Sequence, residues 1–344
     1  MSQASAPQFE ISHISECNIE QLEDFQSSSG ERAKRYRLRS QAGIEAEFIE
    51  YGAILRSLLV PVEDELRDLV LGFDTLDEYL EQEAFIGSMV GPYANRIAQA
   101  HYTLDKKTYN LKANEGENIL HSGVAGLHLK YWNSKIESNQ LILQVRTPAN
   151  EAGFPGMVDI ELRLYFSTPH ELAVDIRATP SEPRPISITN HSYFNLNASN
   201  EVSNQRLLVM ADTYLAVGSD GIPNGEAQWS EGEMRFDGHH INGRTVDHHY
   251  VSQGGSLKKL ARLSSDDGSL SMTLSSDAPG LQIYTGHHLP HMAAKDNSSI
   301  HSRSAICLEP QEWPNAPNID SAPDTICGPD KPYFHRIRYC LELS

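Results

Sequence analysis

Met157–Phe166 reads MVDIELRLYF, and beyond the polar link Thr168-Pro169-His170-Glu171 the stretch Leu172–Thr179 reads LAVDIRAT. Val158, Ile160, Leu162, Leu164 and Phe166 alternate with Asp159, Glu161, Arg163 and Tyr165; Leu172, Val174 and Ile176 then alternate with Asp175 and Arg177. Successive side chains on a strand point to opposite faces, so this period of two predicts two strands, each with an apolar and a charged face, joined as a hairpin. One-sided burial of that kind belongs to antiparallel sheets, because parallel sheets are covered on both faces. The same alternation at Leu141–Val145 and Leu270–Leu274 extends the pattern.

Helical periodicity is scarce. Thr75–Glu81 places Leu76, Tyr79 and Leu80 on one face, with Asp74 as the expected cap. Many strands, few short helices and frequent Gly/Pro turns predict an all-β fold, a large antiparallel β-sandwich. No low-complexity linker or internal repeat divides the 344 residues. The expected organisation is a polar N-terminal extension over residues 1–34, then a single domain over 35–344.

A formal net charge of −18 argues against nucleic acid and anionic membrane as partners, since both would be repelled. The opening MSQASAPQFEISHISE lacks the basic start and apolar run of an export signal, and no stretch approaches the roughly 20 apolar residues of a spanning helix. Cys17, Cys307, Cys327 and Cys340 form no CxxC pair and read as reduced thiols, which implies a cytoplasmic protein. Histidines are paired at 239–240, 248–249 and 287–288. Neighbours on a strand point to opposite faces, so such pairs chelate poorly, and no HExxH motif accompanies them. Neither a metal nor another cofactor is expected, as glycine-rich phosphate and dinucleotide loops are absent too.

Five segments are polar where a strand-rich chain would place apolar residues: Gly91–Ile97 (GPYANRI), Leu120–Gly126 (LHSGVAG), Thr189–Leu196 (TNHSYFNL), Val246–Tyr250 (VDHHY) and Cys307–Asn318 (CLEPQEWPNAPN). Their mixture of charge, imidazole, aromatic ring and glycine suits a monosaccharide site, where rings stack on sugar C–H groups and short polar side chains bind hydroxyls. His191 is the side chain of TNHSYFNL that titrates near neutrality, fit for general acid–base work or for a structural hydrogen bond. Glu309 ends an apolar run, where a carboxylate is costly unless paired or used. Glu312 is its local decoy. Asn95 and Arg96 are candidates to hold hydroxyls, Arg96 being equally suited to a structural ion pair. His121 stands beside Ser122 and Gly123, Asp247 can accept two hydroxyls, and Gln282 alternates with Leu281 and Ile283 and so faces away from the apolar side.

In chain order, NRI (95–97), LHSG (120–123), NHSYFNL (190–196), GIPNGE (221–226), VDHHY (246–250), LQIYTGHHL (281–289) and CLEPQEWPNAPN (307–318) resemble the signatures of the aldose 1-epimerase (galactose mutarotase) family. The resemblance runs from about Tyr51 to the C-terminus; NHSYFNL followed at a distance by CLEPQ is its most specific part. It implies a single antiparallel β-supersandwich, with Glu309 as catalytic base, His191 as acid, and Asn95, Arg96, His121, Tyr193, Asp247 and Gln282 as substrate contacts. LHSG stands where LHGG is more usual, Pro92-Tyr93 where Arg-Val or similar is usual, and His249 where Asn is more usual.

The expected reaction interconverts the α and β anomers of a free aldohexose through ring opening, with Glu309 starting ionised and His191 protonated under the influence of Asp247. Three rivals are a hexose-6-phosphate 1-epimerase, a non-catalytic carbohydrate-binding β-sandwich and a two-carboxylate glycosidase using Glu309 and Asp247. A monomer or homodimer is expected.

Overall fold

The Val158–Thr168 and Glu171–Pro180 strands pair antiparallel, Leu162 opposite Ile176 and Leu164 opposite Val174, so the apolar halves of both lie on one face. They are central to a nine-stranded antiparallel sheet in the order Asn133–Glu137, Gln140–Thr147, Val158–Thr168, Glu171–Pro180, Tyr333–Leu343, Leu270–Ser276, Lys258–Ser264, Arg206–Val209 and Asp237–His240. The structure, a computed structural model, describes residues 13–344; residues 1–12 of the expected extension lie outside it.

A six-stranded antiparallel sheet faces it, in the order Tyr193–Phe194, Ile306–Pro310, Gly280–Tyr284, Asp247–Val251, Thr213–Val217 and Pro223–Trp229. Phe194, Tyr250, Leu281, Ile283, Ile306 and Leu308 from this sheet share one buried cluster with Leu162, Leu164, Val174, Ile176, Met272 and Leu341 from the larger one. A five-stranded sheet, Cys17–Gln21, Arg35–Ser40, Glu45–Ile49, Ile54–Val62 and Glu65–Asp68, adds Leu38, Phe48, Leu58 and Val60 to the same core. Burial of continuous apolar area between sheets, at about 25 cal/mol per Å², is the main stabilising contribution. This is the all-β antiparallel sandwich that the alternation implied, in the supersandwich form that the family resemblance implied. Inside the polar 1–34 segment, Cys17–Gln21 forms an edge strand because Ile19 lies opposite Leu38 and packs on the core.

The one α-helix among the described residues is Leu76–Glu81, and its cap is Thr75 rather than the expected Asp74. The Thr75 hydroxyl accepts from the Glu78 N–H, while the Glu78 carboxylate accepts from the Thr75 N–H, a reciprocal box that Asp74 is one residue too early to make. Asp74 instead accepts a hydrogen bond from Arg56.

The charged face of the opening hairpin is not uniformly wet. Asp175 is 1% exposed; it accepts from Arg338 at 2.6 Å and from the Tyr165 hydroxyl at 2.9 Å. Removing one partner of a buried ion pair strands the other charge, so Arg338→Met is expected to cost about 3–5 kcal/mol. The check is urea unfolding: a lower midpoint with an unchanged m-value is the expected outcome, and an unmoved midpoint would contradict it.

Candidate active site

The cavity side of the six-stranded sheet follows from the same alternation that builds its core side. In Ile306–Pro310, Ile306 and Leu308 enter the core, so Cys307 and Glu309 must face the other way. Register then sets two rows across the sheet: Glu309 beside Gln282 beside His249, and Tyr193 beside Cys307 beside Tyr284 beside Asp247. The Gln282 amide donates to Asp247 at 2.6 Å, linking the rows.

The walls come from loops tied to this floor. Thr189–Leu196 is clamped to the 83–89 loop: the His191 N–H donates to the Ser88 carbonyl, the Gly87 N–H to the His191 carbonyl, and the Tyr193 hydroxyl to the Ala84 carbonyl. Gly87 is required, since a side chain there would meet the Leu55 carbonyl at 2.5 Å in a left-handed backbone (φ +72°). That loop carries Phe85, whose ring lies 4.6 Å from His121, 4.8 Å from His128 and 5.7 Å from His191 between centroids. His121 accepts the Asn95 N–H on Nδ1 at 3.1 Å. Arg96 makes both contacts at once: it lines the cavity and holds Glu115 through two bonds of 2.7 and 2.6 Å.

Two of the three expected departures from the family pattern meet in space. The Ser122 hydroxyl accepts the Tyr93 N–H at 2.8 Å, and the Tyr93 hydroxyl donates to the Trp313 carbonyl and accepts from the Ala316 N–H. LHSG is thereby fastened through Tyr93 to the turn that follows Glu309. His249 is buried with neither ring nitrogen hydrogen-bonded, and burial lowers its pKa to about 3.

All eight expected site residues, Asn95, Arg96, His121, His191, Tyr193, Asp247, Gln282 and Glu309, line one cavity of about 390 Å³. Glu83, Ala84, Phe85 and Pro290 line it as well and were not among the expected residues; in EAFIGS the signal is one acid and one aromatic ring. Glu312 lies outside the lining: its N–H donates to Ser187, and the Asp277 and Lys331 charges act on its carboxyl. Of the histidine pairs, 287–288 is not on a strand at all but in the turn after Gly280–Tyr284, where the two rings pack at 4.2 Å. None of the pairs supplies a gathered ligand set; among the described residues His191, Cys307 and Glu309 do.

Glu309 and His191 are 2% and 5% exposed, with the carboxylate Oε2 3.8 Å from the imidazole Nε2. Burial, then the charge of Asp247, raises the Glu309 pKa well above the ordinary carboxylate value. Burial lowers that of His191 to about 4, with His128 adding to the effect. Burial therefore disfavours the charged form of both groups, and the Asp247 charge, expected to act on His191, bears on Glu309. On its other side His191 meets Cys307, Sγ to Nδ1 at 3.5 Å.

Comparison with known proteins agrees with this geometry. The aldose 1-epimerase family model matches residues 34–340. A galactose mutarotase from Homo sapiens is 32% identical over 333 residues, covering 92% of this chain and 96% of the relative. An aldose 1-epimerase from Escherichia coli is 29% identical over 330 residues, covering 90% of this chain and 95% of the relative. The crystal structure of an aldose epimerase homologue from C. elegans superposes with a TM-score of 0.83 at 27% identity, covering 88% and 97% of the two chains. A family match over nine-tenths of the sequence and this depth of similarity mean that the chain belongs to the aldose 1-epimerase family and is an isomerase with aldose 1-epimerase activity.

Proposed function

We propose that the cavity interconverts the α and β anomers of a free aldohexose of the galactose or glucose type, with Glu309 as base and His191 as acid. The observation that carries this reading is the buried Glu309–His191 pair, 3.8 Å apart, at the floor of a cavity lined by hydroxyl-binding side chains. Ring opening removes the proton from the C1 hydroxyl to Glu309 while His191 gives one to the ring oxygen. Rotation about C1–C2 presents the other carbonyl face, and closure returns both protons. No covalent bond to the protein forms.

The proton count of the pair is conserved through this cycle. Ionised Glu309 with protonated His191 starts the opening; protonated Glu309 with neutral His191 is the state while the sugar is open. Burial favours the second state. An internal proton shift reaches the first, and sugar hydroxyls donating to Glu309 favour it, since hydrogen bonds to a carboxylate stabilise its charged form. The Cys307 thiol, held protonated by burial and by Glu309, can donate to Nδ1; the proton of neutral His191 then lies on Nε2, on the Glu309 side.

Asn95, Arg96, His121, Asp247 and Gln282 are the proposed hydroxyl contacts, with Tyr193 and Phe85 as ring surfaces. A sugar phosphate is the poorer substrate on electrostatic grounds: the lining has one Arg, already held by Glu115, together with Glu83, Asp247 and Glu309. The four cysteines are unpaired, and no helix of the described residues is long and apolar enough to cross a membrane, which supports a cytoplasmic location.

Replacing Glu309 by Gln removes the base while keeping a hydrogen-bonding group of the same shape. Polarimetry of α-galactose should show a loss of about 10²–10⁴ in rate, with sugar binding retained; near-native conversion would rule Glu309 out as base. The same variant should be more stable than wild type, and increasingly so from pH 5 to pH 8. A raised carboxylate pKa means that stability is lost as pH climbs from the unfolded value through the folded one, and Gln escapes that loss. Thermal melts at the two pH values test the sign. Finally, kcat/KM should stay flat from pH 7 down to about pH 5 and fall towards about 4, where buried His191 takes a second proton. An acid limb centred at 6.5 would mean an ordinary solvated imidazole.

A further inference from the structure

We propose that His191, Cys307 and Glu309 form a binding site for a thiophilic divalent cation such as Zn²⁺, and that filling it switches the enzyme off. Cys307 and Glu309 are two residues apart on one strand and therefore share a face, with the His191 ring between them: Sγ to Nδ1 is 3.5 Å and Oε2 to Nε2 is 3.8 Å. One ligand atom from each residue lies within 4.8 Å of the other two. Around a tetrahedral ion with a metal–sulfur bond of about 2.3 Å and metal–nitrogen or –oxygen bonds of about 2.0–2.2 Å, donor atoms sit roughly 3.3–3.8 Å apart. The two short contacts use different imidazole nitrogens, of which an ion binds one, so closing the arrangement onto an ion takes a turn of the His191 ring together with a shift of about an ångström.

A second observation points to the same place. Glu309 Oε2 is buried and has no hydrogen-bond partner, so it has an unused lone pair facing the imidazole. His191 and Glu309 line the cavity with Cys307 buried behind them, which leaves the cavity side as the fourth position for water, the arrangement of accessible zinc sites. The charges balance: binding displaces one proton from the Cys307 thiol and one from Glu309, and the thiolate and carboxylate then neutralise the dication. Asp247 adds negative potential nearby, as its effect on Glu309 records. A thiolate with an imidazole selects borderline-soft ions and leaves hard Mg²⁺ and Ca²⁺ unbound.

The ion would be an inhibitor, not a cofactor, because it occupies both members of the proton pair and excludes the anomeric centre of the sugar. Binding of the ion stands independently of the acid–base assignment; the loss of turnover rests on it.

The test is titration of the full-length protein with ZnCl₂ in chelator-free buffer, read by polarimetry, alongside CoCl₂ binding read by thiolate-to-cobalt charge-transfer absorption. Cys307→Ser keeps a hydroxyl near His191 but offers the ion a much poorer ligand; Cys307→Ala is the second variant should the first fail to fold. Each protein is scored against its own metal-free rate. Expected are inhibition by micromolar Zn²⁺, competitive with sugar, reversed by EDTA and not produced by millimolar Mg²⁺. In the variants the inhibitory concentration should rise by about 10–100-fold or more and the cobalt–thiolate band should vanish. Wild-type indifference to millimolar Zn²⁺ together with no cobalt–thiolate band, or equal sensitivity of the Cys307 variants, would overturn the site. A cobalt–thiolate band accompanied by unchanged turnover under Zn²⁺ would overturn the switch, and with it the roles given to Glu309 and His191, while leaving the site in place.

Discussion

The alternation of side chains along Ile306–Pro310 is the constraint on which the rest of the molecule depends. Ile306 and Leu308 have to enter the core between the sheets, and that obligation turns Cys307 and Glu309 to the opposite face. A slip of one residue would put the carboxylate into the core and Leu308 into the cavity, so the apolar residues that hold the fold together also fix the register of the chemistry. The neighbours repeat the arrangement: Leu281 and Ile283 anchor the strand that presents Gln282, and Tyr250 anchors the one that presents Asp247.

Positioning a carboxylate in this way has an energetic consequence. Glu309 loses its water and gains no hydrogen bond on Oε2, while His191 loses its own hydration 3.8 Å away. Burial disfavours the charge on both groups, raising the Glu309 pKa and lowering that of His191. That cost to the fold is of the kind met where, as proposed, a buried pair transfers protons.

The loops that wall the cavity are stiffened by contacts between segments far apart in sequence. Ser122 holds Tyr93, Tyr93 holds the 313–316 turn, and the N–H of Asn315 donates to the Arg96 carbonyl. Tyr93 and Ser122, two of the positions expected to depart from the common family pattern, are therefore hydrogen-bonded partners. Phe85, packed against three imidazoles on a loop that turns at Gly87, completes the wall.

By itself the sequence determined the sheet architecture, because alternation in MVDIELRLYF and its repeats is a direct record of which face of each strand is dry. It also determined the set of residues that gather at the cavity, since polar segments inside a strand-rich chain carry their own signal, and the family resemblance ordered them. Local detail was less legible: the helix cap falls on Thr75, one residue beyond Asp74, because capping depends on a reciprocal bond with Glu78. Only the tertiary structure decided the burial of the Glu309–His191 pair, the meeting of Ser122 with Tyr93, and the convergence of Cys307 on His191. Each of these depends on solvent exclusion or on contacts across more than a hundred residues, or nearly thirty in the shortest case, and no local pattern in a chain records distances of that kind.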